Sequence, residues 1–522
     1  MHLHPDEPTI VKNAIDMLVR HSWEAFVYNR PDQFEIKCNA FLFTLVSWLK
    51  YHVPAYIAFK THEIVFYLTA RIYTSLFGIA LIPLAAVVTG KIAAYLDVNK
   101  KVAQISSALI VAFSSIFVQH SSYSTPDIPL TFFVVLFTYV FIEYFEKGDF
   151  KSFALNCIIV GIGITIKYLA AVLCVPLAFM VIFRTVTIEK NPDALLKYGI
   201  KGGLITCAII FIIAPNLFTE FNKVYLTILK EARPNHLGAD GLGFTWNFLF
   251  YIKTAIENLG WESAILACLG IHTIINNRQK LPLFSFGIGI VYWISISVLS
   301  LHWVRWGIPI FFFYNMAVAI GIGKVAACLI NHSDCKKSIN YIICAILSLV
   351  SILVFFNVFI SGIAITRCSL LTDTRLIALE WCNRNGVMEN RSLSEPYTPF
   401  NPFGGKNWNL IVNSFNMKND KLILKDRHKS KMYVIYSSSF RNRFFREEKR
   451  YGHEVKVFKI IEKNFPLLFK LAADGNYSYD KLSADTNDLQ KTTAIENIPY
   501  SFRYLLKNSK TSGFTIYIYK LQ

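Results

Sequence analysis

Charge is scarce in this sequence. Only 17% of its 522 residues are Asp, Glu, Lys or Arg, against about a quarter in ordinary soluble domains. Hydrophobic residues make up 54%, and that balance excludes a plain soluble domain. Apolar residues are sparse at the start too: the first 36 residues are polar and amphipathic, with no apolar core segment, and are not expected to act as a secretory leader. The ten cysteines form no CxxC pair, so they indicate no metal or redox site. Six of them (Cys157, Cys174, Cys207, Cys268, Cys328, Cys344) lie in apolar runs, where a thiol behaves as a small hydrophobe. Cys368 and Cys382 are placed to share an oxidising compartment, which an even count does not establish. There is no repeat, no low-complexity tract and no nucleotide-binding fingerprint.

What the sequence does have is long apolar runs, many reaching the ~20 residues a membrane-spanning helix needs. They predict a polytopic α-helical membrane protein of about ten spans, at 64–95, 102–119, 128–145, 151–166, 167–183, 198–217, 259–276, 281–301, 306–330 and 338–366. The run 151–183 carries Lys167 in its middle. One helix through it would bury an ammonium at a cost of about 2.5–3.5 kcal/mol, whereas two helices bring it to a surface. Two helices also put the loops holding Lys100 and Lys101, Arg184, Lys190 and Lys197, Arg278 and Lys280, and Lys336 and Lys337 on one side. Basic loops mark the cytoplasmic face. The N-terminal "HPDE", "HSSYSTPDIP", Lys167, the loop 218–258, "HWVRWGIP" and everything after residue 366 then fall outside the cytoplasm.

The formal charge of +18 invites a nucleic-acid reading, but the charge sits in loops and towards the C-terminus. From Arg367 onward there are 26 Lys and Arg against 15 Asp and Glu. Beside a bilayer that surplus points to anionic membrane lipid or a phosphorylated lipid substrate, not nucleic acid. "MYVIYSSS" (432–439), "EVKVFKII" (454–461) and "FTIYIYKL" (514–521) read as strands. "DTRLIALEWCNRN" reads as a helix with Asp373 as its N-cap. Three regions follow: a first extracytoplasmic loop at 1–62 with interfacial amphipathic helices, a transmembrane core at 63–366, and an extracytoplasmic α/β domain at 367–522.

Each candidate residue has two readings. Asp6 and Glu7 are either the acidic first turn of an amphipathic helix, which packs Ile10, Ala14, Met17, Leu18 and Phe26 near one face, or carboxylates one of which acts as a general base. Asp127 in "STPDIPL" is either turn chemistry or a functional carboxylate at the end of a span. Lys167, His302 and Arg305 either snorkel to headgroups or hold an anionic phosphate. Arg71, deeper in its span, either does the same or pairs with a carboxylate. Glu231, His236 and Asp240 in "KEARPNHLGADGLG" match no metal-binding spacing and suit a substrate-covering loop. No motif demands a cofactor, and a divalent metal stays open. The NxS triplets at Asn390 and Asn476 depend on a glycosylating compartment.

In this order the motifs resemble a known family. "HPDEPTIVKNA", "YSTPDIPLTFF", "GIGITIKYLAAVLCVPLA", "RPNHLGADG", "HWVRWGIPI" and "LTDTRLIALEWCNRN…SEPYTP" are together similar to segments of the phospholipid-carrier-dependent membrane glycosyltransferases. These are the relatives of protein O-mannosyltransferases and aminoarabinose transferases, which have the integral-membrane C-type fold. The resemblance implies transfer of a hexosyl or pentosyl group from a polyprenyl-phosphate donor to a hydroxyl on a protein, lipid or glycan acceptor, with inversion. It implies Asp6 as the base with Glu7 beside it, and Lys167, Arg305, His302 and Arg71 around the donor phosphate. In the family the acidic pair follows a first transmembrane helix, so a preceding helix is expected to be missing from this sequence. "RPDQFEIKCNAFLF" departs from the family's aromatic-Tyr-Pro run. The rival readings are a transporter or flippase of lipid-linked sugars, a ligase moving a whole lipid-linked glycan, and a non-catalytic lipid-binding relative. A transporter calls for ionisable groups near the bilayer midplane, whereas these charges gather at one surface. The expected location is a bacterial inner (plasma) membrane with the site facing outside, an endoplasmic-reticulum lumen being the other option.

Overall fold

The computed structural model describes residues 6–28, 31–231, 244–277, 279–299, 302–330, 338–401, 410–418, 421–446, 448–471, 511–512 and 515–521. They fall into two compact units, the first ending at Phe359 and the second beginning at Ile360.

The first unit opens on α1 (Glu7–Val19), which buries Ile10, Val11, Ala14, Ile15 and Met17. Leu18 packs only at the edge of that cluster, and Phe26 lies beyond the helix end and is exposed. Then come α2 (Gln33–Tyr51) and α3 (Ala55–Ala93), which kinks at His62 and runs through Pro83. Next are α4 (Lys100–Phe113), α5 (Ser115–Ser121), α6 (Asp127–Lys147) and α7 (Phe150–Ile166). A 3₁₀ turn (Tyr168–Leu173) leads into α8 (Cys174–Ile182), which continues as a π-helical turn to Ile188. The unit goes on through α9 (Ala194–Ile213), α10 (Asn216–Thr219), α11 (Phe221–Glu231), α12 (Phe244–Leu259), α13 (Ser263–Ile275), α14 (Lys280–Ser297), α15 (Ile308–Ile330) and α16 (Ser338–Leu370).

Among the described residues, seven helical segments are long and apolar enough to cross a membrane. The pairs α4–α5, bent by 54°, and α12–α13, bent by 114°, bring the number to nine, and α7 is a shorter apolar helix. Every expected span has its helical segment here. The run 151–183 breaks where the charge argument places the break: Lys167 is extended (φ −148°, ψ 135°) between α7 and the 3₁₀ turn. The region 218–258, expected as a loop, is corrected by α11 and α12, which are helices on either side of residues 232–243.

The ends of the spans differ in chemistry. Lys91 pairs with Glu143 and, at 3.2 Å, with Glu146. Lys324 reaches Asp97 at 2.6 Å, and Arg184 donates to the Phe145 carbonyl at 2.6 Å. Arg71 lies near the middle of α3, about 30 Å from Lys91 at 1.5 Å of rise per residue.

The second unit holds α17 (Thr374–Arg384), capped by Asp373, whose carboxylate accepts from the Arg375 backbone N–H at 2.8 Å. Its strands are β1 (Thr372–Asp373), β2 (Ser392–Ser394), β3 (Phe415–Lys418), β4 (Lys421–Leu424), β5 (Tyr433–Ser437), β6 (Leu467–Leu471), β7 (Thr511–Ser512) and β8 (Ile516–Lys520). The main sheet has the order β2-β5-β8-β6, with β2 parallel to β5 and the other pairs antiparallel. The helices α18 (Leu410–Ser414), α19 (Ser438–Arg446) and α20 (Gly452–Asn464) complete it. Helix α20 corrects the strand expected at 454–461. Val455, Phe458 and Ile461 recur every third residue and share a buried face, a helical spacing that the alternating valines obscure.

Helices α13 and α15 approach each other closely at two glycines. A Cβ placed on Gly270 would stand 1.9 Å from the Ala317 carbonyl oxygen, and one on Gly321 would stand 2.1 Å from that of Leu266. Both neighbours are backbone, so neither can rotate away, and small residues at such crossings are what let spans touch. Gly321→Ala is expected to destabilise the protein by about 1–3 kcal/mol. Thermal unfolding of the detergent-solubilised chain checks this, with Gly287→Ala, at an open position, as the control that leaves the transition in place.

Candidate active site

The sequence puts its acidic pair at the start of α1, with Pro8 in the first turn. That start lies against the middle of α3 and the turn before α6. Glu7 is fully buried. Its two carboxylate oxygens accept from Arg71 Nε and Nη2, each at 2.8 Å, and Oε1 also accepts from the Ser124 backbone N–H at 3.1 Å. Arg71 thus takes the carboxylate-pairing part of its two expected roles. Asp6, next in the chain, points elsewhere. Its Oδ2 is 3.3 Å from Arg305 Nη2, and its side chain keeps 23% exposure. Of these two carboxylates, Asp6 is the one solvent can reach.

Asp127 begins α6 and is 2% exposed. It forms an ion pair with Lys167, presented by the break between α7 and the 3₁₀ turn. Arg305 and His120 also act on Asp127 electrostatically. Arg305 sits in a short 3₁₀ turn, Val304–Gly307, at the head of α15. Asp6, Glu7, Arg71, Asp127, Lys167 and Arg305 therefore form one linked set of ion pairs. His302 is buried, its Nδ1 is 2.7 Å from Asn247 Oδ1, and its ring lies 4.2 Å from that of Phe250. Glu231 ends α11, its side chain lying outside the described residues, as does the whole of His236. No group of three or more His, Cys, Asp or Glu side chains is arranged to hold a metal among the described residues.

Sequence reasoning missed part of this site. Asp32, in a left-handed conformation (φ 44°) that Asp tolerates, precedes α2, and its N–H reaches the Ile166 carbonyl at 3.3 Å. Glu35, one turn into α2, is 2% exposed and senses Asp32, Lys167 and Asp127. Burial, and then the Asp32 charge, hold its carboxyl well above the usual glutamate range. His120, buried and edge-on to Tyr123 at 5.6 Å, belongs to the same neighbourhood, as does Tyr292 of α14, whose hydroxyl lies within the influence of Asp127 and Tyr251. The signal for Glu35 was the departure "RPDQFE". A buried carboxyl was not readable from it, because α2 does not alternate cleanly between apolar and polar faces.

The geometry separates the two acidic neighbours by experiment. Glu7→Gln removes a fully buried carboxylate from the partly buried Arg71 guanidinium and is expected to destabilise the protein by about 2–4 kcal/mol. Asp6→Asn, at the solvent-reached position, is expected to cost less than about 1 kcal/mol. Thermal unfolding of the two variants in the same detergent checks the difference.

Residues 59–218 match the sequence profile of the dolichyl-phosphate-mannose-protein mannosyltransferase family. That stretch includes Arg71, Asp127 and Lys167 but neither Asp6 nor Arg305. No curated protein sequence matches the chain significantly. Among solved structures, the chain is similar to the Archaeoglobus fulgidus oligosaccharyltransferase in its apo form, at 9% identity and a TM-score of 0.51, covering 99% of this chain and 85% of that one. It also aligns with ArnT from Cupriavidus metallidurans bound to undecaprenyl phosphate, at 14% identity and a TM-score of 0.41, covering 74% of this chain and 69% of that one. The chain thus has the C-type fold of the integral-membrane glycosyltransferases, and its residues 59–218 are similar to the mannosyltransferase family.

Proposed function

We propose that this protein is a membrane glycosyltransferase that moves a sugar from a polyprenyl-phosphate donor to a hydroxyl acceptor, with inversion and with Asp6 as the general base. The observation that carries the reading is the division of labour in the acidic pair. Glu7 is saturated by three hydrogen bonds, while Asp6 meets solvent beside Arg305. A base must reach the proton it takes, and only the second arrangement allows that.

In the reaction Asp6 accepts the proton of the acceptor hydroxyl as its oxygen attacks the anomeric carbon from the face opposite the phosphate. The bond to the phosphate oxygen breaks, and the polyprenyl phosphate leaves with the electron pair. Its growing negative charge falls to Arg305 and Lys167, fixed donors of the kind that stabilise developing anions. Arg suits this task because its planar fork matches a phosphate. One base and no carboxylate nucleophile gives inversion in a single displacement, unlike the paired carboxylates of retaining hydrolases.

The reading places the site outside the cytoplasm. The end of the helices opposite the site carries Lys91, Arg184 and Lys324, and Lys and Arg mark the cytoplasmic side. The same parity assigns the region after residue 366 to the outer side. The acceptor hydroxyl belongs to a protein, lipid or glycan.

The test follows release of polyprenyl phosphate from a panel of labelled polyprenyl-phosphate sugars by the lipid-reconstituted chain. Asp6→Asn is expected to lower acceptor-dependent release by about 10²–10⁴-fold while the protein stays folded. Release at the wild-type rate from Asp6→Asn would remove Asp6 from the role of base.

A further inference from the structure

The Asp127–Lys167 pair has a third participant that the reaction above does not use. Glu35 is buried in α2, and apart from its own backbone N–H no donor reaches its carboxyl oxygens among the described residues. Asp32 lies one helical turn earlier, tied by its backbone to Ile166 at the break that presents Lys167. A buried carboxylate normally fills its lone pairs with donors or a cation, because an unsatisfied buried ion is costly. Glu35 has neither, and it has a second carboxyl for a neighbour.

The charged and titratable groups around it come from each packed element. Asp32 and Cys38 share its own segment, Tyr73 comes from α3, Asp127 from α6 and Lys167 from the break after α7. Helix α1, which also packs on α2, carries Glu7, already paired with Arg71. Among the described residues, the cation that acts on Glu35 is Lys167, and Asp127 already holds it.

We propose that Glu35 is a positioning residue for the donor: as a neutral acid it leaves the Lys167 ammonium to the donor phosphate, and as a carboxylate it competes for that ammonium. The inference rests on the reading of Lys167 as a phosphate ligand. The switch is a plain ionisation. The Glu35 O–H bond breaks, the proton passes to solvent, and the electron pair stays on the carboxyl. The elevated affinity of Glu35 for its proton, caused by burial and by Asp32, sets the direction. The folded chain keeps the proton where an unfolded one has released it, so the neutral form is complete at low pH and is lost as pH rises through the folded value.

The experiment measures binding of a polyprenyl-phosphate sugar to the full chain in neutral-lipid nanodiscs, from about pH 6 to about pH 9. A phosphodiester holds one charge across that range, so a change in affinity reports on the protein. Wild-type affinity is expected to fall about tenfold over the range, and that of Glu35→Gln, which mimics the neutral acid, by less than about twofold. An infrared spectrum at neutral pH should show a protonated carboxyl band in the wild type that Glu35→Gln removes. Parallel loss of affinity in both proteins overturns the proposal, as does an infrared band untouched by the substitution. Donor binding absent from both proteins, with the band still removed by Glu35→Gln, overturns the phosphate role of Lys167 and upholds the neutral acid. Asp32→Asn is the second variant. Removing the neighbouring charge is expected to move the fall in affinity to lower pH, and an unmoved profile counts against the carboxyl pair.

Discussion

The clasp between Glu7 and Arg71 is the contact on which the arrangement of the site depends. A carboxylate with no exposure has to be satisfied completely, and Glu7 is, by two guanidinium bonds and one backbone N–H. Those three bonds come from α3 and from the turn before α6, so a single side chain fixes α1 against both. Such a buried pair adds little net stability, because desolvation offsets attraction. Its value lies in register: a slip of α1 by one residue would leave the Arg71 charge bare. Because Glu7 cannot move, its neighbour Asp6 is held beside Arg305.

Charge within the set is balanced one for one. Asp6, Glu7 and Asp127 are met by Arg305, Arg71 and Lys167. An anionic ligand entering such a site has to exchange for one of its own carboxylates, and the pairs differ in how readily they exchange. Glu7 and Arg71 are locked by two parallel bonds. Arg305 lies 3.3 Å from Asp6, and Lys167 extends from backbone that is already outside regular helix.

Much of the membrane architecture was legible because hydropathy over a span is a long, redundant signal. The break at Lys167 was legible because one charge in the middle of an apolar run has few places to go. The pairing of Arg71 with Glu7 was one of two options, and no local pattern could choose between them, since the partners are 64 residues apart. Glu35 and His120 were invisible as site residues, because their meaning comes from burial, which only the packing of α2 and α5 reveals. In the second unit the valines of α20 mimic strand alternation, while Phe458 and Ile461 on the same face belong to a helix.

The glycine crossing of α13 and α15 reaches further than its own neighbourhood. Helix α13 is the continuation of α12 through a bend of 114°, at which Gly260 takes a φ of 98° that other residues resist. Helix α12 in turn carries Asn247, which holds His302, and Phe248, which stacks on Trp293 at 3.7 Å. The two arms of this elbow move together, so the depth to which α13 sinks against α15 sets the height at which α12 rests. A scan of substitutions for lost activity would then score Gly270 and Gly321 as if they lined the site. In a map of tolerated changes, they would stand as an island of intolerance among lipid-facing positions that accept almost any apolar residue.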